Sequence, residues 1–198
     1  MSALEKRPEM RCRHILSKLK ALESLDAAVR KRVLERFPEA TLQTIRRTKE
    51  DQWLPVEYNI ELSEYVAAEI GEEGLYDWGL KALNYSINSS MISPFIRAAL
   101  DVFRIGPTTL LNLSPRLWKS IYRNCGELSV TEQGLNDVQV SLTDLPPVMI
   151  NSRILIVTIA AFIQALFSFT GVKGQAVIEQ ISKSTKNAII TATWNPVE

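Results

Sequence analysis

The chain of 198 residues contains few of the residue types that carry chemistry, and they lie far apart in the sequence. His14 is the only histidine, and Cys12 and Cys125 are the only cysteines. Nucleophilic catalysis by serine or cysteine needs a general base beside the nucleophile, and no histidine follows His14. The sequence therefore offers no catalytic constellation, and we expect a protein that is not an enzyme. Catalysis by an acidic residue, a lysine or a tyrosine remains an open alternative.

Cys125 precedes Gly126 at the entry to a predicted β-hairpin, where its side chain could face a pocket. A free cysteine usually behaves as a small buried apolar residue, and no neighbour in the sequence would activate this thiol. We therefore favour a buried thiol over an acylated one, and we keep Cys125 among the candidate ligand-binding residues. The two cysteines match no disulfide framework, which is typical of a reducing compartment and predicts a cytoplasmic protein.

Carboxylates concentrate at Glu69, Glu72, Glu73 and Asp77, at the junction of two predicted helices. Glu73 and Asp77 can share a helix face, but no calcium-loop pattern accompanies them. Carboxylates at the start of a helix also stabilise its positive N-terminus. No other cluster has the spacing of a transition-metal site. We therefore predict neither a metal ion nor a cofactor.

Basic residues are concentrated in the first quarter of the chain. Acidic residues lie among them, and the net charge of +1 creates no global attraction for nucleic acid, which we do not expect as a partner. We favour the interpretation that these basic residues lie on helix faces exposed to solvent. The alternative is that they recruit an anionic partner. The candidate residues for such a partner are Arg11, Arg13, Lys18, Arg30, Lys31, Arg46 and Arg47.

The elements that must position these residues form a helical first part and a mixed second part. Pro55 favours an extended segment at Trp53–Pro55, and Gly71 ends the helix that follows. Pro107 and Pro115 start two short helical pieces. We expect a basic, helical N-terminal extension over residues 1–24 and a single α+β domain over residues 25–198. Apolar spacing predicts helices over about 9–22, 26–37, 60–70 and 75–87, and one opened by Ser93-Pro94.

The last third of the chain predicts two β-hairpins that flank one long apolar helix. We expect this helix to be buried rather than to cross a membrane, because amphipathic strands stand on both sides of it. Its outer face could meet other helices or a second subunit. The predicted fold class is therefore α+β, with an antiparallel sheet packed on helices. The strands are predicted at Leu128–Val130, Val138–Leu142, Val177–Ile181 and Ala188–Trp194, and the helix at Ile154–Phe169.

Aromatic residues recur at helical spacing before and within this region. Such residues usually fill a core, and they could also line a cavity against the apolar helix. A pocket would then lie between the sheet and the helices, with few polar groups to orient a ligand. The candidate ligand-binding residues are Trp118, Tyr122, Phe162, Arg116, Gln164 and Cys125.

Motifs in the second half of the chain resemble a paralogous family of unknown function first noted in myxobacteria. The resemblance covers about Val29 to Trp194, and it implies a bacterial protein. The motifs are Arg104-Ile105-Gly106-Pro107, Ser114-Pro115-Arg116-Leu117-Trp118, Gly126-Glu127-Leu128-Ser129-Val130, Thr170-Gly171 and Thr193-Trp194.

The layout of that family is similar, at the level of fold, to haem-based nitric-oxide sensors, vinyl-reductase-like domains and a vesicle-tethering subunit. The resemblance implies an apolar pocket between helices and sheet, or a fold used for dimerisation. The haem sensors need a proximal histidine inside the fold. This chain has only His14, in the predicted basic N-terminal helix, so we do not expect haem held by histidine.

Two hypotheses of function follow from these observations. The first is a non-catalytic regulatory, signalling or sensor-type domain that binds a small apolar ligand between sheet and helices. The alternative is a protein-interaction adaptor, a homodimeric scaffold whose basic N-terminal segment recruits an anionic or regulatory protein partner. In the adaptor, the apolar helix and the hairpin edges would form the interface.

Overall fold

The computed structural model of the chain describes residues 6–88 and 106–195. The predicted helix opened by Ser93-Pro94 lies outside these residues. Short 3-10 turns follow α1 at Leu22–Ser24 and α8 at Phe167–Phe169. The elements are, in chain order, β1 (Glu9–Arg11), α1 (Cys12–Ala21), α2 (Ala27–Arg36), α3 (Glu39–Arg47), β2 (Trp53–Pro55), α4 (Val56–Asn88), α5 (Pro107–Asn112), α6 (Ser114–Ile121), β3 (Tyr122–Arg123), β4 (Glu127–Glu132), β5 (Asp137–Thr143), α7 (Pro147–Ile150), α8 (Arg153–Leu166), β6 (Gly174–Ser182) and β7 (Asn187–Trp194).

The two predicted hairpins form one antiparallel sheet of four strands in the order β4-β5-β7-β6. The hairpins join where β5 pairs with β7, so that Val140 lies opposite Val130 on one side and Ile190 on the other. Buried and more exposed residues alternate along β5 and β7, because one face of the sheet packs on the core. The predicted α+β fold class is confirmed.

Helix α8 lies between α4 and the four-stranded sheet. The Ser152 hydroxyl accepts a hydrogen bond from the Leu155 N–H at 3.3 Å, which caps the start of the helix. Every residue from Leu155 to Ala161 is buried, as expected for a helix that is apolar all round. The helix is therefore part of the core of a single chain. No helix within the described ranges is long and apolar enough to cross a membrane.

Helix α4 is the longest element, and two glycines shape it. Gly71 has φ 72° and ψ 173°, so it kinks the helix at the point where the sequence predicts an end. After the kink, Gly79 faces α8. A Cβ atom at Gly79 would stand 3.1 Å from the Cβ of Ala161, so the missing side chain lets the two helices approach closely.

The N-terminal segment differs from its prediction. Glu9–Arg11 form a strand rather than the first turn of a helix, because they pair with β2 and β3 in a second sheet, ordered β2-β1-β3. Helix α1 follows, and its Ile15 is fully buried in the hydrophobic core. The segment is thus packed into the same core as the rest of the described chain. Helix α3 was not predicted.

Candidate functional site

The candidate site is an apolar cavity of about 90 Å³ enclosed mainly by α1, α4, α6 and α8. Helix α8 contributes Ile159, Phe162, Ile163 and Leu166, which follow one another at helical spacing along one stripe. The cavity reaches the surface at Leu117, which lines it and is 42% exposed. Its wall is therefore built mostly from side chains that would favour an apolar ligand.

Two aromatic residues of α6 and β3 form one side of the cavity. The ring centroids of Trp118 and Tyr122 lie 4.3 Å apart, with 34° between the ring planes. The Trp118 indole N–H donates to the carbonyl oxygen of Gly126 at 3.1 Å, which fixes the ring against the start of β4. Burial raises the pKa of Tyr122 above its usual range, so its phenol stays protonated.

The serine and threonine hydroxyls in the wall are directed to backbone carbonyls. Ser114 Oγ donates to the Leu111 carbonyl of α5 at 2.6 Å, and Thr158 Oγ1 donates to the Ile154 carbonyl of α8 at 2.8 Å. Because both hydroxyl protons are used on the backbone, they leave the cavity largely apolar.

His14 also lines the cavity, which sequence reasoning missed. Its Nδ1 lies 3.0 Å from Ser86 Oγ. Burial, followed by the charges of Arg13, Lys18 and Arg11, lowers the pKa of His14 to about 4. The imidazole is therefore neutral at neutral pH. His14 lies in the N-terminal helix as predicted, and α1 packs against α4 so that this residue is turned toward the cavity.

One turn further along α1, Lys18 is fully buried. Its Nζ donates to Asn59 Oδ1 at 2.6 Å and to Ser63 Oγ at 3.2 Å. The same nitrogen lies 5.6 Å from the ring centroid of Trp78 and 5.5 Å from that of Phe162. Burial lowers the pKa of Lys18 to about 7. Lys18 was expected among the residues that contact an anionic partner, and its burial removes it from the surface such a partner would meet.

The six predicted ligand-binding residues divide into two groups. Trp118, Tyr122 and Phe162 line the cavity, whereas the other three do not. Arg116 is exposed on α6. Gln164 Oε1 accepts a hydrogen bond from the Ala176 N–H at 3.1 Å and so ties α8 to β6. Cys125 lies against the carbonyl oxygen of Arg123 at 3.2 Å, and burial raises the pKa of its thiol to about 12.

The seven basic candidates do not form one exposed surface. Arg11 donates to the Asp51 carbonyl at 2.5 Å and to the Ser120 carbonyl at 3.2 Å, so its guanidinium joins parts of the fold. Arg13 and Arg30 are half-buried. The exposed members are Lys31, Arg46 and Arg47, for which contact with an anionic partner stays a prediction.

Within residues 6–88 and 106–195, no group of three or more His, Cys, Asp or Glu side chains is placed to hold a metal ion. Glu69 of the predicted carboxylate cluster accepts from Arg32 at 2.7 Å and from Arg36 at 3.1 Å. Glu72 pairs with Arg153 at 2.9 Å. These two carboxylates therefore join helices.

Solved structures with this fold exist, although no family model and no curated protein sequence matches the chain. The Fe(II) unliganded H-NOX protein from K. algicida matches with a TM-score of 0.62 at 11% identity, covering 95% of this chain and 98% of that chain. An oxygen-binding H-NOX domain related to soluble guanylate cyclases, as its oxygen complex, matches with a TM-score of 0.57 at 9% identity, covering 93% and 95%. A structure that probes haem distortion in the H-NOX family matches with a TM-score of 0.61 at 10% identity, covering 96% and 97%.

Haem does not fit the cavity that the described residues enclose. The volume of about 90 Å³ is smaller than the roughly 150 Å³ of an apolar protein cavity that holds benzene, and a porphyrin is several times larger than benzene. The one histidine in the wall directs Nδ1 to Ser86. We therefore assign no role to haem in this chain.

Identities this low show the fold alone. The resemblance to the myxobacterial family gains no support from the sequence comparisons. The more distant similarity to haem-based nitric-oxide sensors is confirmed at the level of fold, since the matches cover more than nine-tenths of both chains. The chain thus has the fold of H-NOX domains, built around an apolar cavity.

Proposed function

We propose that this chain is a non-catalytic, sensor-type regulatory domain that binds a small apolar ligand in the cavity beside α8. The observation that carries the proposal is the apolar wall itself, in which the hydroxyls of Ser114 and Thr158 already donate to backbone carbonyls. The fold adds support, because a matching structure is described as an oxygen-binding domain. The apolar wall favours a ligand whose larger part is apolar.

Helix α8 provides a route from the cavity to the sheet. Phe162 and Leu166 line the cavity, and Gln164, between them, accepts from the Ala176 N–H of β6. At the end of α8, the ring of Phe167 lies 5.8 Å from that of Trp194 on β7. A ligand that shifts α8 would move both contacts, so the exposed face of the sheet is the proposed output surface.

The buried thiols support a non-catalytic role. Burial raises the pKa of Cys12 to about 11 and that of Cys125 to about 12, and a protonated thiol is a poor nucleophile. Two free thiols are also compatible with the reducing cytoplasm that we propose as the compartment. The bacterial assignment rests on the family resemblance.

The adaptor alternative loses one part of the interface first assigned to it, because α8 is buried within a single chain. A homodimer would then pair through the hairpin edges. Native mass spectrometry of freshly purified protein distinguishes the two: a releasable small mass supports the ligand-binding domain, and an unliganded dimer supports the adaptor.

The proposal is tested by xenon, a small apolar probe, in a ¹²⁹Xe NMR titration of the full chain. We expect a saturable chemical-shift change for the wild type. Ile163→Phe, which extends a lining side chain into the cavity, should abolish that change. Ile154→Phe makes the same substitution on α8 at a position that does not line the cavity, and it should titrate like the wild type.

Two outcomes would overturn the proposal. One is a wild-type titration with no saturable component. The other is saturable binding that Ile163→Phe leaves unchanged, since the xenon would then occupy another site. Circular dichroism and a melting curve for each variant confirm that it is folded.

A further inference from the structure

Beside the cavity lies a buried amine that has no counter-ion in the described part of the chain. Lys18 Nζ is hydrogen-bonded only to the neutral oxygens of Asn59 and Ser63, and no described carboxylate forms an ion pair with it. Buried charges in proteins are almost always paired. Among the described residues, Lys18 therefore has no negatively charged partner.

Two further donors next to Lys18 also lack an acceptor. Asn59 Nδ2 and Trp78 Nε1 are buried nitrogen atoms with no hydrogen-bond partner in the described structure. Asn59 contacts Nζ through its other amide atom, at 2.6 Å, and the Trp78 ring centroid is 5.6 Å from Nζ. Buried N–H groups without a partner are rare in native proteins. Within the described structure, the amine thus lacks a negatively charged partner and the two N–H groups lack an acceptor.

The side chain of Phe162 lies between this polar cluster and the cavity. Phe162 lines the cavity, and its ring centroid is 5.5 Å from Lys18 Nζ. His14, one turn before Lys18 on α1, lines the cavity as well. Phe162 therefore faces both the cavity and the Lys18 amine.

We propose that the ligand of this cavity is an aliphatic monocarboxylate, whose hydrocarbon tail lies in the cavity and whose carboxylate accepts hydrogen bonds from Lys18, Asn59 and Trp78. This inference rests on the proposed function, because the same cavity holds the tail. A carboxylate supplies one negative charge and two acceptor oxygens, which matches one ammonium and two neutral N–H donors. A phosphate would bring more charge than the cluster contains.

The inference is tested by isothermal titration of the full chain with butanoate and with 1-butanol at pH 6.5, because a three-carbon tail suits a cavity smaller than one that holds benzene. The two probes have the same chain length and differ in the charged end. We expect the wild type to bind butanoate at least tenfold more tightly than butanol, because a charge-assisted hydrogen bond forms in a buried site. Lys18→Met keeps a similar shape without the charge and should lose this preference while it still binds butanol. Lys20→Met removes an exposed lysine of the same helix and should behave like the wild type.

A second variant guards against a failure of Lys18→Met to fold. Asn59→Asp places a carboxylate beside Lys18 within the protein, so it should weaken butanoate binding at least tenfold and leave butanol binding unchanged. The inference is overturned if the wild type binds acid and alcohol equally, or if Lys18→Met and Asn59→Asp keep the preference for the acid. Equal binding of both probes still supports an apolar ligand in the cavity. In that case a buried water molecule would be the acceptor for the unpaired donors. Binding of neither probe, together with no saturable xenon shift, removes the proposed function too.

Discussion

Lys18 should make the stability of the fold depend on pH from about pH 7 upward. Its pKa falls from 10.5 to about 7 in the folded chain, whereas the amine in the unfolded chain titrates near its ordinary value. Between these two values the unfolded state holds a proton that the folded state has lost. The free energy of unfolding therefore rises with pH by up to about 1.4 kcal/mol per pH unit, and the whole shift corresponds to roughly 5 kcal/mol.

The substitution Lys18→Met should remove this dependence. At pH 6.5 the buried charge destabilises the wild type almost to its full extent. The variant is free of this destabilisation but loses the hydrogen bonds to Asn59 and Ser63. We expect a net stabilisation of roughly 2 kcal/mol at pH 6.5, because unpaired polar groups left behind offset part of the gain. The advantage should shrink by about 1 kcal/mol per pH unit as the amine of the wild type becomes neutral.

The assay is urea unfolding of both chains at intervals from pH 6.5 to 8.5. His14 titrates below this window, since its pKa is lowered to about 4, and the pKa values of Cys12 and Cys125 are raised to about 11 and 12. Lys20→Met is the matched control, because Lys20 is exposed on the same helix, and its slope should equal that of the wild type. A stability difference between Lys18→Met and the wild type that stays constant across the window would refute the reasoning.

Three further predictions concern the core and its buried groups. Gly79→Leu should destabilise the fold by about 2 kcal/mol in urea unfolding, because a Cβ there already stands 3.1 Å from that of Ala161; an unchanged midpoint would show that α4 and α8 are not in close contact. The pKa of His14 is lowered from 6.5 to about 4, so stability should fall as the pH drops from 6.5 to 4, and His14→Gln should flatten this fall; equal slopes would contradict it. Cys12 and Cys125 should both resist Ellman's reagent at pH 8 in the folded chain and react in urea, because burial raises their pKa values; rapid reaction of a native thiol would count against this.

The second half of the fold was predictable because its signals are local. Alternating apolar residues and turn residues marked both hairpins, and the apolar run marked α8 within a few residues of its ends. Strand β1 was not predictable in the same way. Its three residues become a strand only by pairing with β2 and β3, which lie far along the chain. The helix predicted over about 26–37 does end before Pro38, and Pro38 is also the N-cap of α3, which the sequence did not reveal.

Only the aromatic part of the candidate site could be predicted from the sequence. Trp118, Tyr122 and Phe162 were found because large aromatic residues near an apolar helix either fill a core or line a cavity. His14 and Lys18 were misplaced, since a basic residue in a basic helix is usually solvated. The burial of Lys18 is decided by the packing of α1 against α4 and α8. One signal was available: Ile15, Lys18 and Leu22 repeat at helical spacing, so Lys18 lies on the apolar face of α1.

The cavity is tested most directly by a crystal structure of the full chain determined under xenon pressure. We expect xenon between Trp118, Ile159 and Phe162, in contact with the stripe of α8 that lines the cavity. Crystals of Ile163→Phe, treated in the same way, should show no xenon there. Side chains that fill this space in the wild type and leave no bound xenon would contradict the ligand-binding cavity.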